Sequence, residues 1–182
     1  SAFHNSYYFH KDDNVITNKE EVCGDFEKLI NLQLKEKHPK SWMRAFFNMG
    51  LINYIEGSRR MLPCQAGEMN FFVEPYGDIY PCNGLEKKYW KKSIGNIRET
   101  PNFKEIWEGK QAEQVRQMVR RCPKNCWMVG TASPVMHKYI KYPLKWALKN
   151  KLRSLQGKTA CLDKCWYNVG QDPSQGDLRD VF

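Results

Sequence analysis

The sequence predicts an α+β protein in which a small β-hairpin is preceded and followed by helices. Two stretches, residues 19–37 and 41–55, carry apolar side chains at the spacing of an amphipathic helix. Between residues 71 and 80, two short apolar runs flank a turn that contains Gly and Asp, which is typical of a hairpin. Residues 135–155 interleave basic and apolar side chains. The expected order is therefore two connector helices, a hairpin with short helices, and a basic helix.

The first helix is expected to begin after Asn18, because Glu21 follows three residues later and completes a capping box. Pro39 is expected to end it, and a second helix is predicted from Ser41 to Ile55, with Gly57 as its stop signal. The residues expected on the buried face of the first helix are Val22, Phe26, Leu29, Ile30 and Leu34. Those expected on the apolar face of the second are Trp42, Ala45, Phe46, Met49, Ile52 and either Tyr54 or Ile55.

A further pair of short helices is predicted after the hairpin. Thr100 and Pro101 resemble a helix start, with a capping residue followed by proline at the first helical position. Gly109 interrupts the helical pattern, which then continues from Lys110 to Arg121. The side chains expected to face inward along these helices are Phe103, Ile106, Trp107, Ala112, Val115, Met118 and Val119.

The bulk composition limits the function classes. The chain has 182 residues and a formal charge of +9, from 29 basic and 20 acidic residues, which favours acidic partners. It contains no run of 18 apolar residues and no signal peptide, so a cytoplasmic protein without a transmembrane segment is expected. The chain opens at Ser1 with a segment that resembles an interior strand, so we interpret it as part of a longer protein.

The cysteines carry the clearest chemical signal. Cys64 stands shortly before the first strand of the hairpin and Cys82 directly after the second, while Cys122 and Cys126 lie on a turn after a helix. Thiolates are soft ligands that select zinc or iron–sulfur iron over hard cations. An iron–sulfur cluster with four thiolate ligands is the first interpretation. Zinc is the alternative, although it usually prefers ligand pairs with shorter spacing than Cys64 and Cys82 show.

Several motifs then resemble one family. Three segments are similar to the SPASM or twitch auxiliary domain of radical S-adenosylmethionine enzymes. They are Cys64-Gln65-Ala66-Gly67, residues 74–82 ending in Cys82, and residues 94–97 followed by Ile106-Trp107. The resemblance covers about residues 60–130. It implies an auxiliary 4Fe–4S cluster held by Cys64, Cys82, Cys122 and Cys126, which serves electron transfer or structural support during substrate oxidation or modification.

The sequence departs from the family pattern in two ways. A full SPASM pattern has seven cysteines that hold two clusters, and it includes a C-x2-C-x5-C-x3-C run. In place of that run this chain has only C-x3-C at Cys122 and Cys126, and a second C-x3-C stands at Cys161 and Cys165. That second pair is a weaker candidate for metal binding or a pair of spare thiols. The C-x3-C-x2-C motif that holds the S-adenosylmethionine-cleaving cluster is absent, because Val129 and Asn168 stand at the required positions. The chain alone is therefore not expected to cleave S-adenosylmethionine.

The resemblance also implies a domain order and partners. Residues 1–58 are expected to be the end of a partial barrel with connector helices, residues 59–133 the cluster-binding domain, and residues 134–182 a basic helix and tail. The expected partners are an upstream radical S-adenosylmethionine domain of the parent oxidoreductase or maturase and an electron donor or acceptor protein.

An alternative function remains open from the residues alone. The basic segment 138–153 suits a zinc-stabilised module that binds nucleic acid or an anionic surface. Both are less favoured than the cluster-binding domain, and nucleic acid is not among the expected partners of that domain. Aromatic residues near the cysteines either shield a cluster from water or belong to the ordinary hydrophobic core. Basic residues near the cysteines either offset the negative charge of a cluster or lie on a solvated surface. The aromatic candidates are Phe72, Trp107 and Trp127, and the basic ones are Arg120, Arg121 and Lys124.

Overall fold

The computed structural model describes residue 10 and residues 15–84, 93–122 and 124–162. The described residues form six helices and a three-stranded antiparallel sheet, which confirms the predicted α+β class. In chain order the elements are α1 (Lys19–Lys35), α2 (Pro39–Ile55), β1 (Phe72–Val73), β2 (Asp78–Tyr80), β3 (Gly95–Asn96), α3 (Phe103–Glu108), α4 (Lys110–Arg120), α5 (Val129–Lys138) and α6 (Lys141–Leu155). None of the helices in these ranges is long and apolar enough to cross a membrane.

The described chain divides into two compact units. The helical unit contains residues 15–63 and 124–162, and so holds α1, α2, α5 and α6. The hairpin unit contains residues 64–84 and 93–122, and so holds the sheet, α3 and α4. Each unit has its own cluster of buried apolar side chains.

The first helix of the helical unit follows its prediction closely, with two differences. Ile30 and Leu34 are fully buried as expected, but Leu29 is 40% exposed, so its predicted burial was wrong. The side-chain amide of Asn18 donates to the Glu21 carboxylate at 2.9 Å, and neither side chain caps a backbone N–H. The predicted capping box is therefore replaced by a contact between the two side chains.

A lysine from α6 caps the carboxyl end of α1. The ammonium group of Lys151 donates to the carbonyl oxygens of Leu34, Lys35 and Glu36 at 2.8, 3.1 and 2.9 Å. The same group lies 5.2 Å from the ring centre of Trp42. A cation is favoured at a helix C-terminus, where the last carbonyls have no partner within the helix.

The second helix begins two residues earlier than predicted, because Pro39 occupies its first turn. Proline fits this position, since its missing N–H would have no partner there and its φ angle is already helical. The buried face is wide, as predicted, and it includes Phe46, Met49 and Ile52. After Ile55 the chain turns at Gly57, whose φ of 75° suits a residue without a Cβ atom.

Residues 135–155, predicted as one basic helix, are divided between α5 and α6. Pro143 lies in the first turn of α6, a position that proline tolerates because the N–H it lacks would have no partner within the helix. The buried residues of α6 are Pro143, Trp146, Ala147 and Asn150. The helical bundle therefore covers one face of α6 and leaves the opposite face exposed.

The hairpin of the second unit forms where it was predicted. Phe72 pairs with Tyr80 and Val73 with Ile79, and Gly77 makes the turn with a φ of 94°. A third strand, which the sequence did not predict, pairs Gly95 with Ile79. Its two residues are too few to show an alternating pattern.

The first helix after the hairpin begins two residues later than predicted, whereas the second begins at Lys110 as predicted. Asn102, rather than Thr100, is the cap of α3, because its side chain accepts a hydrogen bond from the Lys104 backbone N–H at 3.2 Å. Phe103 is 39% exposed and Met118 is 37% exposed, so the predicted inward positions of these two side chains were wrong. The buried core of the unit consists of Ala66, Ile79, Ile94, Ile106, Ala112, Val115 and Val119.

Candidate metal centre

Three of the four predicted ligands belong to the hairpin unit. Cys64 and Cys82 lie before and after the hairpin, and Cys122 follows α4, with its backbone N–H donating to the Val119 carbonyl at 3.0 Å. All three side chains are partly buried and pack against the same apolar core. The fold thus gathers thiols from three separate chain segments around one core, as a site with several thiolate ligands requires.

The loop after Cys64 is fixed by polar contacts that the sequence did not reveal. The guanidinium of Arg116 on α4 donates to the carbonyl oxygens of Gly67 and Trp107 at 2.8 and 2.6 Å. It also lies 4.7 Å from the ring centre of Trp107. The Asn70 side-chain amide donates to the Pro81 carbonyl at 3.3 Å, so the segment after Cys64 is joined to the residue before Cys82.

The fourth predicted ligand, Cys126, belongs to the helical unit. Asn125 beside it donates to the carbonyl oxygens of Tyr54 and Ser58 at 3.2 and 3.0 Å. The guanidinium of Arg60 donates to the carbonyl oxygen of Cys126 itself. The backbone around Cys126 is therefore held against the end of α2 and the loop that follows it.

The pKa of Tyr54 is affected by its burial and by the Cys126 side chain. Burial raises the pKa of the Tyr54 phenol above its usual value, and the negative charge of a Cys126 thiolate raises that pKa further. Both effects keep the hydroxyl protonated, so Tyr54 remains a hydrogen-bond donor at neutral pH.

The aromatic residues considered as shields differ in their surroundings. Trp127 is a core residue of the helical unit: it is 1% exposed and its indole N–H donates to the Phe47 carbonyl at 2.8 Å. Trp107 belongs to the hairpin unit, where it packs against the same core as the three cysteines and stacks on Phe103. Phe72 is half-buried in β1.

Two of the basic residues considered as charge partners, Arg120 and Arg121, are exposed, whereas Lys124 is half-buried. Arg120 forms ion pairs with Glu113 and Glu68 at 3.0 and 3.1 Å, and Arg121 is exposed. Hydrogen bonding with Arg120 lowers the pKa of Glu113, consistent with a carboxylate that remains charged. Arg120 is therefore already paired with the carboxylates of Glu113 and Glu68. Arg60 and Arg116 were not predicted, although both are in contact with segments that carry candidate ligands.

The remaining cysteines lie in other surroundings or outside the described residues. Cys23 packs against the core of the helical unit. The backbone of Cys161 is held by α6, where Asn150 accepts from its N–H at 2.7 Å and the Trp146 indole donates to its carbonyl at 3.2 Å. The prediction for Cys165 concerns a residue outside the described ranges.

The donor set of the four predicted ligands fits iron–sulfur chemistry, since it consists of thiols alone. Among the described residues, no group of three or more His, Cys, Asp or Glu side chains lies close enough together to hold one metal ion. Ligands of a four-iron cluster each bind a different iron, so they stand farther apart than the ligands of a single ion.

Comparison with known families identifies this region. Residues 64–128 match the family model of SPASM, an iron-sulfur cluster-binding domain. The region that carries the four candidate ligands is therefore similar to a SPASM domain. The matched region begins at Cys64 and includes Cys82, Cys122 and Cys126, whereas the other three cysteines lie outside it. The SPASM match indicates iron–sulfur cluster binding. No curated protein and no solved structure matches the chain.

Proposed function

We propose that the SPASM domain holds one auxiliary 4Fe–4S cluster through Cys64, Cys82, Cys122 and Cys126. The observation that carries this proposal is that the family match contains these four cysteines and excludes the other three. The packing of Cys64, Cys82 and Cys122 on one core supports it. We therefore leave Cys161 and Cys165 out of the proposed ligand set.

An auxiliary cluster can bind substrate at an iron with an open position, or it can transfer electrons. The number of protein ligands favours electron transfer. Four protein thiolates occupy one position on each of four irons, so none remains open for substrate. Such a cluster supplies one-electron transfer when bound. The chain itself supplies four thiolates and partly buried surroundings, which control the potential through hydrogen bonds and solvent access. Electron transfer or structural support during substrate oxidation or modification follows as the proposed role.

The proposed partner is a radical S-adenosylmethionine domain in an upstream part of the parent chain. The sequence lacks C-x3-C-x2-C, so the S-adenosylmethionine-cleaving cluster is assigned to that partner and not to this chain. An electron donor or acceptor protein is the second proposed partner. The division at residues 58 and 133 into connector, cluster-binding and basic segments stays a prediction.

Metal analysis of the whole chain tests the proposed function. Protein prepared without oxygen is expected to contain about four iron and about four inorganic sulfide per chain. It is also expected to be brown, because the thiolate and sulfide ligands give broad visible absorbance. Stoichiometric zinc without sulfide would contradict the proposal, and so would protein without any metal after reconstitution with iron and sulfide.

A second candidate function is contact with an anionic lipid surface through the exposed face of α6. Residues 129–162 contain seven Lys and Arg and no Asp or Glu. Four leucines lie three or four positions apart on the exposed face, with exposed fractions of 45–71%. These leucines are Leu144, Leu148, Leu152 and Leu155. Exposed lysines 141, 145 and 149 lie beside them. Apolar side chains flanked by lysines suit the lipid interface.

The same face is less suited to nucleic acid. Stacking on single-stranded bases requires exposed aromatic rings. Of the two aromatic residues of α6, Trp146 is 2% exposed and belongs to the core, and Tyr142 is partly buried and packs against that core. The structure therefore favours the lipid surface over nucleic acid among the anionic partners.

Charge reversal at two lysines tests this candidate. Lys141→Glu combined with Lys149→Glu is expected to weaken binding to vesicles rich in phosphatidylserine by at least tenfold, since each lysine contributes about 1 kcal/mol near such a surface. Lys104→Glu, on exposed α3 of the hairpin unit, is the control and should leave binding unchanged. Equal binding to neutral vesicles, or tighter binding to nucleic acid than to anionic vesicles, would contradict the candidate.

A further inference from the structure

Arg60 is a buried arginine whose three guanidinium nitrogens each donate to a backbone carbonyl. Its side chain is 5% exposed. The guanidinium donates to the carbonyl oxygens of Leu62 at 2.9 Å, Thr131 at 3.0 Å and Cys126. It also lies 5.2 Å from the ring centre of Trp127. All of these groups belong to the helical unit, so the charge sits inside that unit and next to the backbone of Cys126.

The buried charge of Arg60 has no acidic partner among the residues that the structure describes. Burial of a cation costs several kcal/mol, and neutral carbonyl oxygens offset this cost only in part. Arg120 shows the contrast within the same chain, since it is exposed and nevertheless pairs with Glu113 and Glu68. The charge of Arg60 is thus not balanced by any carboxylate of the described residues, so an anion close to it would be stabilised.

The position of Arg60 indicates which anion this is. One of its hydrogen bonds goes to the carbonyl of Cys126, the residue proposed above as a ligand. An iron–sulfur core with four thiolates carries net negative charge, and this charge increases on one-electron reduction. We propose that Arg60 is a counter-charge of the auxiliary cluster, which positions the Cys126 segment and stabilises the reduced form. This inference rests on the proposed function.

The two parts of the role can be separated by two substitutions. Arg60→Gln removes the charge and keeps an amide that can donate to a carbonyl. Arg60→Lys keeps the charge and removes the planar fork that reaches three acceptors. A purely structural role depends on the hydrogen bonds, whereas a counter-charge role depends on the charge, because net charge near the cluster contributes to its potential.

Redox titration of the cluster-loaded chain, followed by visible absorbance and electron paramagnetic resonance, measures the effect. Arg60→Gln is expected to lower the midpoint potential by at least about 59 mV. For a one-electron couple this corresponds to a tenfold change in the reduction equilibrium constant. Arg60→Lys is expected to stay close to wild type. Arg59→Gln is the matched control, because Arg59 is the preceding residue and is exposed. It should leave the potential unchanged.

Other results would overturn the inference. An unchanged potential in loaded Arg60→Gln would exclude the counter-charge role, and so would a shift in Arg60→Lys as large as the one expected for glutamine. If Arg60→Gln does not fold, Arg60→Met takes its place, because it also removes the charge while it keeps an unbranched apolar stem. A lowered potential in that variant supports the role, and an unchanged potential contradicts it. Wild-type protein that binds no cluster would instead contradict the proposed function, and the wild-type titration detects this first.

Discussion

Serine at any one of Cys64, Cys82, Cys122 or Cys126 is expected to remove most of the iron and sulfide from the purified chain. The hydroxyl of serine is a harder and weaker ligand for iron than a thiolate, and it is protonated at neutral pH. Loss of one ligand leaves the cluster open to solvent, in which oxidation and hydrolysis degrade it. Iron and sulfide per chain, together with visible absorbance, measure the effect in protein prepared without oxygen.

Serine at Cys23 and at Cys161 provides the matched controls for these four variants. Both are partly buried thiols of the helical unit and lie outside the SPASM match. They are expected to retain the iron content of wild type. Loss of the cluster in Cys161→Ser, or its full retention in Cys122→Ser, would show that the proposed ligand set is wrong. Circular dichroism of each variant separates ligand loss from unfolding.

The hairpin was predictable from sequence because its signals are local. Gly77 marks a turn that requires positive φ, and the apolar runs on either side set the register in which Phe72 meets Tyr80. The two long helices were predictable for a similar reason, since Ile30, Leu34 and Phe46 repeat at helical spacing and are buried. The candidate cysteines could be selected because they stand at the ends of these local elements.

Differences between prediction and structure arise where neighbouring signals compete. Thr100-Pro101 and Asn102 both favour a helix start, and the structure uses Asn102 because its side chain reaches the Lys104 N–H. Pro39 can end one helix or begin the next, and it begins α2. Leu29 has the right spacing for burial on α1 but lies at the edge of the apolar face, where tertiary packing decides its exposure.

The arginines near the candidate ligands could not be predicted, because their partners are distant in sequence. Arg60 donates to carbonyls of residues 126 and 131, and Arg116 donates to Gly67. Backbone carbonyls carry no sequence signature, so nothing in the order of residues distinguishes Arg60 from the exposed Arg59 beside it. Sequence can therefore suggest the ligands of this site but not the charges that surround them.

Alanine at Gly50 is expected to destabilise the helical unit by about 2–4 kcal/mol. An ideal Cβ atom at this position would lie 2.1 Å from the indole nitrogen of Trp127 and 2.2 Å from the adjacent ring carbon. Trp127 cannot move away without cost, because it is 1% exposed and its N–H is bonded to the Phe47 carbonyl. The overpacking and the loss of a buried hydrogen bond exceed the gain of about 1 kcal/mol that alanine brings to a helix interior. Urea unfolding followed by circular dichroism measures the difference.

Gly24→Ala is the control that isolates the contact with Trp127. Gly24 also lies inside a helix of the same unit, but a Cβ atom there meets nothing within 4 Å. The same substitution is therefore expected to stabilise by up to about 1 kcal/mol at Gly24 and to destabilise at Gly50. Because Trp127 follows Cys126 directly, Gly50→Ala is also expected to lower cluster occupancy, whereas Gly24→Ala is not. Equal stability of the two variants would show that Trp127 does not occupy the space beside Gly50.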